Sequence, residues 1–131
     1  MKYLLDTHTI LWYLYGDERL SESARKTIES NECFYSYASF WEISIKQSRK
    51  KLEFNRTVFE IDEMCKSAGF TRLSVTLADL HTVRNLPFQE SIKHNDPFDR
   101  ILIAQAKTEG MTLITHDSLL AGYGEECVMT V

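Results

Sequence analysis

Short apolar segments alternate with helical segments along this chain, and the alternation limits the folds that it can adopt. Because these runs are brief, apolar and bounded by polar residues, we predict strands over residues 2–5, 33–36, 70–75, 111–115 and 127–131. Strands separated by helices are typical of a parallel sheet that is covered on both faces. The sequence therefore predicts an α/β fold of three α/β/α layers, with a central, mostly parallel sheet of about five strands.

The starts of the predicted helices carry caps. A serine or threonine followed three residues later by an acid forms a capping box, and this pattern occurs at Ser39/Glu42, Thr57/Glu60 and Thr76/Asp79. Ser21 caps a further helix, and apolar spacing predicts another over residues 8–15. Asp96 precedes Pro97 at the start of a helix that ends near Gly110. We expect Glu42 and Asp99 in the first turns of their helices.

Length and composition indicate a single domain. The chain has 131 residues, 44% of them apolar, and no linker, repeat or low-complexity tract divides it, so one domain over residues 1–131 is expected. No apolar run approaches the roughly 18 residues of a membrane span, and the start of the chain lacks a signal-peptide pattern. The three cysteines are far apart, which favours buried, reduced thiols. We expect a soluble, cytoplasmic protein with no membrane partner.

Acidic residues are predicted to meet at one edge of the sheet. Asp6 directly follows the first strand, and Asp117 follows the fourth after one intervening residue. Glu42, Asp96 and Asp99 lie at helix starts, and in parallel α/β folds the helix N-termini lie at the same edge as the carboxyl ends of the strands. Five acids from four distant segments are therefore expected in one cleft.

Each of these acids also has a purely structural explanation. The helix dipole favours acids in the first turn of a helix. Glu60 and Asp79 have the same local pattern, and we expect no chemistry from them. Asp6 and Asp117 lie where we predict no helix cap. The expected meeting at one edge is therefore what favours a functional interpretation.

A cluster of carboxylates requires protons or cations. Two unit charges about 4 Å apart repel by about 4 kcal/mol at an effective dielectric constant near 20. Ligands that are all oxygen select Mg²⁺ or Mn²⁺ over zinc. One or two such ions can hold a phosphodiester, activate a water molecule and stabilise the leaving oxygen. The implied reaction is hydrolysis of a nucleic-acid backbone.

Four segments resemble the PIN domain, and more narrowly the VapC-type toxins of bacterial toxin–antitoxin pairs. They are residues 4–8, the helix from Ser39 to Lys46 with Trp41-Glu42-Ile43, residues 94–106 with Asp96-Pro97-Phe98-Asp99-Arg100, and Thr115-His116-Asp117. The resemblance spans nearly the whole chain in the same order. It implies a parallel sheet between helices, an Mg²⁺- or Mn²⁺-dependent endoribonuclease, a homodimer and a cognate antitoxin that blocks the site.

The resemblance also assigns site residues. The acidic quartet of the family falls on Asp6, Glu42, Asp99 and Asp117. Asp6 and Asp99 are the expected direct metal ligands, Asp117 joins them through water, and Glu42 orients the attacking water or a second ion. Asp96 is an additional acid that either binds the metal or caps the helix. One-metal and two-metal mechanisms both stay open.

Basic residues near the acids are candidates for the RNA contact. The net charge of −4 argues against a general electrostatic attraction to nucleic acid. Any RNA binding must therefore come from local basic patches. Such a patch comprises Lys46, Arg49, Lys50, Lys51 and Arg56, although charges at a helix end are often only solvated. Arg100 is expected either to contact a phosphate or to pair with the acids.

Histidines and aromatic residues are left outside the catalytic set. His8, His94 and His116 lie within two residues of an acid, so a general base or a mixed metal site is one interpretation. Local hydrogen bonding is the other, and we prefer it. The aromatic residues are expected in the core or in dimer contacts rather than as base-stacking platforms; they are Trp12, Tyr13, Tyr15, Phe40 and Trp41.

Two other functions fit parts of the pattern. An aspartyl-nucleophile phosphotransferase or phosphatase also has an aspartate after its first strand. Those enzymes usually carry a second acid two residues later, where this chain has His8. A non-catalytic interaction module would keep the acids only as caps, and the complete quartet argues against it.

Overall fold

The computed structural model describes residues 1–52, 54–87, 96–117, 120, 123, 125 and 127–131. Strands alternate with helices in it, in the order β1 (Lys2–Leu5), α1 (Thr7–Leu14), α2 (Glu22–Glu29), β2 (Glu32–Ser36), α3 (Tyr37–Ser48), α4 (Val58–Ser67), β3 (Thr71–Leu73), α5 (Leu77–Arg84), α6 (Pro97–Glu109), β4 (Thr112–Thr115) and β5 (Val128–Thr130). None of the helices in this described part of the chain is long and apolar enough to cross a membrane.

The five strands form one sheet in the order β3-β2-β1-β4-β5, and each neighbouring pair is parallel. The central strand β1 pairs with β2 through Leu4 opposite Phe34, and with β4 through Leu5 opposite Ile114. This arrangement confirms the predicted central parallel sheet. Because every pairing is parallel, β1, β2 and β4 all end at the edge where Asp6, Ser36 and Thr115 lie.

Helices cover both faces of the sheet. Alternate residues of β1 point to opposite sides, so Tyr3 and Leu5 belong to one core and Leu4 to the other. The first core packs α1, α2 and α4 against the sheet through residues such as Ile10. The second packs α6 against it through Leu102 and its neighbours. The predicted three α/β/α layers are confirmed.

Helix α6 begins and ends as its sequence predicts. The Asp96 carboxylate accepts a hydrogen bond of 2.8 Å from the Phe98 amide, and Pro97 occupies the first helical position. Gly110 ends the helix with φ of 68°, a left-handed conformation that glycine adopts without steric cost. The capping boxes at Thr57 and Thr76 are also observed.

Helix α3 begins earlier than predicted. Ser36, the last residue of β2, caps it by accepting a hydrogen bond of 3.0 Å from the Ala38 amide. Ser39 is therefore not an N-cap, and Glu42 lies in the second turn instead of the first. The predicted capping box at Ser39 and Glu42 was wrong because β2 runs directly into α3. No helix start accounts for Glu42.

Candidate active site

Asp6 lies at the end of β1 and is buried, with 5% of its surface exposed. Its Oδ1 accepts a hydrogen bond of 2.8 Å from the Thr9 amide, which makes Asp6 the N-cap of α1. The sequence predicts no cap at this position, so the structural explanation is stronger for Asp6 than expected. Its Oδ2 accepts a second hydrogen bond, of 2.5 Å, from the Thr115 hydroxyl.

Thr115 joins Asp6 to Asp117. It is the last residue of β4, is fully buried, and accepts a hydrogen bond of 3.0 Å from the Asp117 amide. Sequence reasoning missed it as a site residue. The parallel register of β1 and β4 identifies Thr115 as a neighbour of Asp6. Leu5 pairs with Ile114, and the residues that follow them, Asp6 and Thr115, lie side by side.

Glu42 is buried on α3, with both carboxylate oxygens bonded. Its Oε1 accepts a hydrogen bond of 2.7 Å from the Thr7 hydroxyl, and that hydroxyl lies 3.0 Å from Ser39 Oγ. Its Oε2 lies 2.7 Å from the ammonium of Lys46, one helical turn further along α3. These contacts connect α1 with α3 at the edge of the sheet where Asp6 lies.

Asp99 is surrounded by the other four acids. Its burial, followed by the negative charges of Asp96, Glu42, Asp6 and Asp117, raises the pKa of its carboxyl group to about 8. The structure therefore brings the other four predicted acids within electrostatic reach of Asp99. Without a cation, this arrangement favours a protonated Asp99 at neutral pH, because ionisation would place another negative charge inside the cluster.

Asp96 is a helix cap in this structure. Its Oδ1 accepts from the Phe98 amide, as the helix-capping role predicted for it requires. Its negative charge also raises the pKa of Asp99, after the contribution from burial. The cap does not exclude a metal-binding role, because a carboxylate has further lone pairs.

Two histidines and a tryptophan pack beside the acids. The ring centroids of Trp12 and His116 lie 4.2 Å apart, and those of His8 and His116 lie 5.2 Å apart. Burial lowers the pKa of His8, against an opposing effect of the Asp6 charge. These contacts support a packing role for both histidines. The third predicted histidine, His94, lies outside the described residues.

Arg100 is buried on α6, with 6% of its surface exposed. Its guanidinium donates hydrogen bonds of 2.9 Å to the carbonyls of Leu86 and Pro87, just beyond the end of α5. A guanidinium whose donors are engaged in this way ties α6 to the α5 segment. This environment favours a structural role for Arg100 over the phosphate contact that its sequence position suggested.

An apolar groove of about 620 Å³ lies beside the acids. Trp41 and Phe98 line it, each next in sequence to a site acid, and their ring centroids lie 5.1 Å apart. Trp41 is 65% exposed, whereas Phe40 belongs to the core. The aromatic residues are expected in the core or in dimer contacts. Phe40 lies in the core, whereas Trp41 lies on the surface of the chain, where a dimer contact stays a prediction.

The donors at this edge suit a small, hard cation in their chemistry. Carboxylates and hydroxyls are the ligands that Mg²⁺ and Mn²⁺ prefer, and the pKa of Asp99 is raised by burial first and then by negative charge that a cation would compensate. Among the described residues, however, no group of three or more His, Cys, Asp or Glu side chains is close enough to form a metal site. The residues fit the ion in type, without forming a closed set of ligands.

Comparisons with known proteins identify the fold. A family model of the PIN domain matches residues 3–126. A structure described as a toxin–antitoxin complex from Klebsiella pneumoniae is similar with a TM-score of 0.64 and 21% identity, over 98% of this chain and 96% of that chain. The crystal structure of VapBC2 from Rickettsia felis, bound to a DNA fragment from the promoter, gives a TM-score of 0.69 and 12% identity, over 100% and 98% of the two chains. The comparison with curated proteins gave no match.

Proposed function

The chain belongs to the PIN domain family, and from this premise we propose that it is an endoribonuclease that uses Mg²⁺ or Mn²⁺, the toxin of a toxin–antitoxin pair. The proposal assigns this activity to one nuclease domain over residues 1–131. The observation that supports it most is the raised pKa of Asp99, since burial and four surrounding acids produce it. An acid cluster of this kind is suited to hold a cation against a phosphodiester.

The metal ligands in this proposal are Asp6, Asp99, Asp117 and Asp96. Asp6 and Asp99 would hold the ion directly, Asp117 would join them through water, and Asp96 would add its negative charge while its Oδ1 caps α6. A bound Mg²⁺ or Mn²⁺ would polarise the phosphodiester and lower the pKa of a water molecule. Thr115 fixes the Asp6 carboxylate through its hydroxyl.

Glu42 and Lys46 are proposed to act on the attacking water and on the RNA. Glu42 is held by Thr7 and Lys46, so its carboxylate has a fixed direction from which to orient the attacking water. Lys46 is partly exposed, with 34% of its side chain accessible, and its ammonium can reach an RNA phosphate at the edge of the site. We keep Lys46 as a substrate contact, whereas the carbonyl contacts of Arg100 argue against the same role there.

A cognate antitoxin and a second copy of the chain are the proposed protein partners. The two solved structures reported above are toxin–antitoxin complexes, which supports an antitoxin for this chain. The homodimer follows from the family resemblance, and light scattering coupled to gel filtration should give twice the mass of the chain. The proposed compartment is the cytoplasm, where the RNA substrates of such a toxin are found.

Cleavage of RNA by the purified chain, freed of any antitoxin, tests the proposal. We expect cleavage with Mg²⁺ or Mn²⁺, and loss of cleavage with a chelator or in Asp6→Asn and Asp99→Asn. Glu60→Gln is a matched control, because Glu60 has the same first-turn position in α4 as Asp99 in α6 and is not one of the site acids. Cleavage that survives both aspartate substitutions would assign the activity to another site or to a contaminant.

A further inference from the structure

Lys46 places a positive charge against Glu42, one acid of the cluster. Its Nζ lies 2.7 Å from Oε2 of Glu42, whose side chain is only 7% exposed. Exposed pairs at this helical spacing are worth only a few tenths of a kcal/mol. A pair with a buried carboxylate is different, since water screens it poorly. The ammonium is therefore a counter-ion of the site itself and not only part of a solvated helix end.

Both carboxylate oxygens of Glu42 are engaged, and this fixes the position of the Lys46 ammonium beside it. Thr7, at the first position of α1, holds Oε1, and the Thr7 hydroxyl lies 3.0 Å from the fully buried Ser39. Glu42 can therefore not turn away easily and release the ammonium. The ammonium offsets part of the negative charge that Glu42 adds to the site, so the pair attracts a cation less strongly than Glu42 alone would.

We propose that Lys46 is a built-in counter-ion of the acidic cluster, and that it lowers the affinity of the site for Mg²⁺ or Mn²⁺ by neutralising Glu42. This inference rests on the proposed function, because it concerns the same site. The physical reason is additive charge: removal of the ammonium leaves Glu42 as an uncompensated carboxylate near the aspartates. Charges separated by several ångströms at the edge of a protein still interact appreciably.

Calorimetric titration of the RNA-free protein with Mn²⁺ tests the inference. Lys46→Met should lower the dissociation constant for Mn²⁺ about fivefold. Lys46→Arg should leave it close to the wild-type value, because arginine keeps the charge. The chain offers a matched control in Lys66, which pairs with Asp62 at the same helical spacing, at 3.2 Å, on α4. Lys66→Met should leave Mn²⁺ binding unchanged.

A double substitution keeps the test valid if Lys46→Met folds poorly. Glu42→Gln combined with Lys46→Met removes both charges, and we expect Mn²⁺ binding within about twofold of the wild type. Equal Mn²⁺ affinity in Lys46→Met and the wild type would overturn the inference, as would loss of Mn²⁺ binding in the double variant. Absence of Mn²⁺ binding in the wild type would instead overturn the proposed function, so the two failures are distinguishable.

Discussion

The hydroxyl of Thr115 donates a hydrogen bond of 2.5 Å to Oδ2 of Asp6, although 109 residues separate the two in sequence. The same hydroxyl accepts from the Asp117 amide, so one buried threonine connects two acids of the site. It can do so because β1 and β4 are parallel neighbours that end together. The geometry of the acidic cluster therefore depends on the register of the sheet.

Thr115→Val should test this connection. Valine has nearly the same shape but no hydroxyl, so the Asp6 oxygen and the Asp117 amide each lose a buried partner. We expect a loss of about 1–3 kcal/mol in the free energy of unfolding, measured by urea denaturation, together with weaker Mn²⁺ binding. Thr115→Ser keeps the hydroxyl and should recover most of both. Equal stability of the valine variant and the wild type would show that the hydrogen bonds contribute nothing.

Asp99 should make stability depend on pH when no divalent cation is present. Its pKa is raised from 3.8 to about 8 in the folded chain. Between these values the folded chain binds more protons at Asp99 than the unfolded chain, so its contribution to stability falls as the pH rises through this range. Asp99→Asn should remove the contribution of Asp99 to this loss of stability with rising pH. It should also raise the melting temperature at pH 8, measured by circular dichroism in the presence of a chelator.

Asp17→Asn is the control for this pH dependence. Arg19 holds the pKa of the Asp17 carboxyl at about 2, so Asp17 is ionised in both states above pH 5. Its substitution should leave the slope of stability between pH 5 and 8 unchanged. If Asp99→Asn also leaves that slope unchanged, burial and neighbouring charge do not perturb Asp99 as described here.

Divalent cations should stabilise the folded chain. A ligand that binds only the folded state adds about 2.7 kcal/mol when its concentration is 100 times the dissociation constant. Millimolar Mn²⁺ should therefore raise the melting temperature of the wild type and have little effect on Asp99→Asn. Glu60→Gln should keep the full shift, because Glu60 caps α4 and pairs with Arg56 and is not one of the site acids. A wild-type protein that is indifferent to Mn²⁺ would contradict the proposed metal site.

Arg100→Met should separate structure from substrate binding. Loss of the guanidinium leaves the carbonyls of Leu86 and Pro87 without this donor, at an expected cost of about 1–3 kcal/mol in the free energy of unfolding. The folded fraction should cleave RNA with an unchanged KM. A large increase in KM without loss of stability would instead return Arg100 to the substrate contacts.

Much of the fold followed from local sequence patterns. The cap at Asp96, the stop at Gly110 and the capping boxes at Thr57 and Thr76 all depend on residues a few positions apart, so their chemistry is visible in the sequence. The alternation of strands and helices likewise predicted the parallel sheet, and the family resemblance led to the same fold.

Errors arose where a local pattern competed with the tertiary structure. Ser39 and Glu42 match a capping box, but Ser36 at the end of β2 begins the helix, and Glu42 faces Thr7 instead. The sequence predicts no cap at Asp6, whereas Asp6 caps α1. The partners of these side chains come from other elements, and only the sheet register and the packing of α1 on α3 identify them.

Anomalous scattering from crystals soaked in Mn²⁺ tests the central claim most directly, because it locates the ion without reference to activity. The account predicts an anomalous peak in contact with the carboxylates of Asp6 and Asp99, and no such peak in crystals of Asp99→Asn. A wild-type crystal with no peak at these residues, or with Mn²⁺ bound elsewhere, would contradict the assignment of this acidic cluster as the metal site of a nuclease.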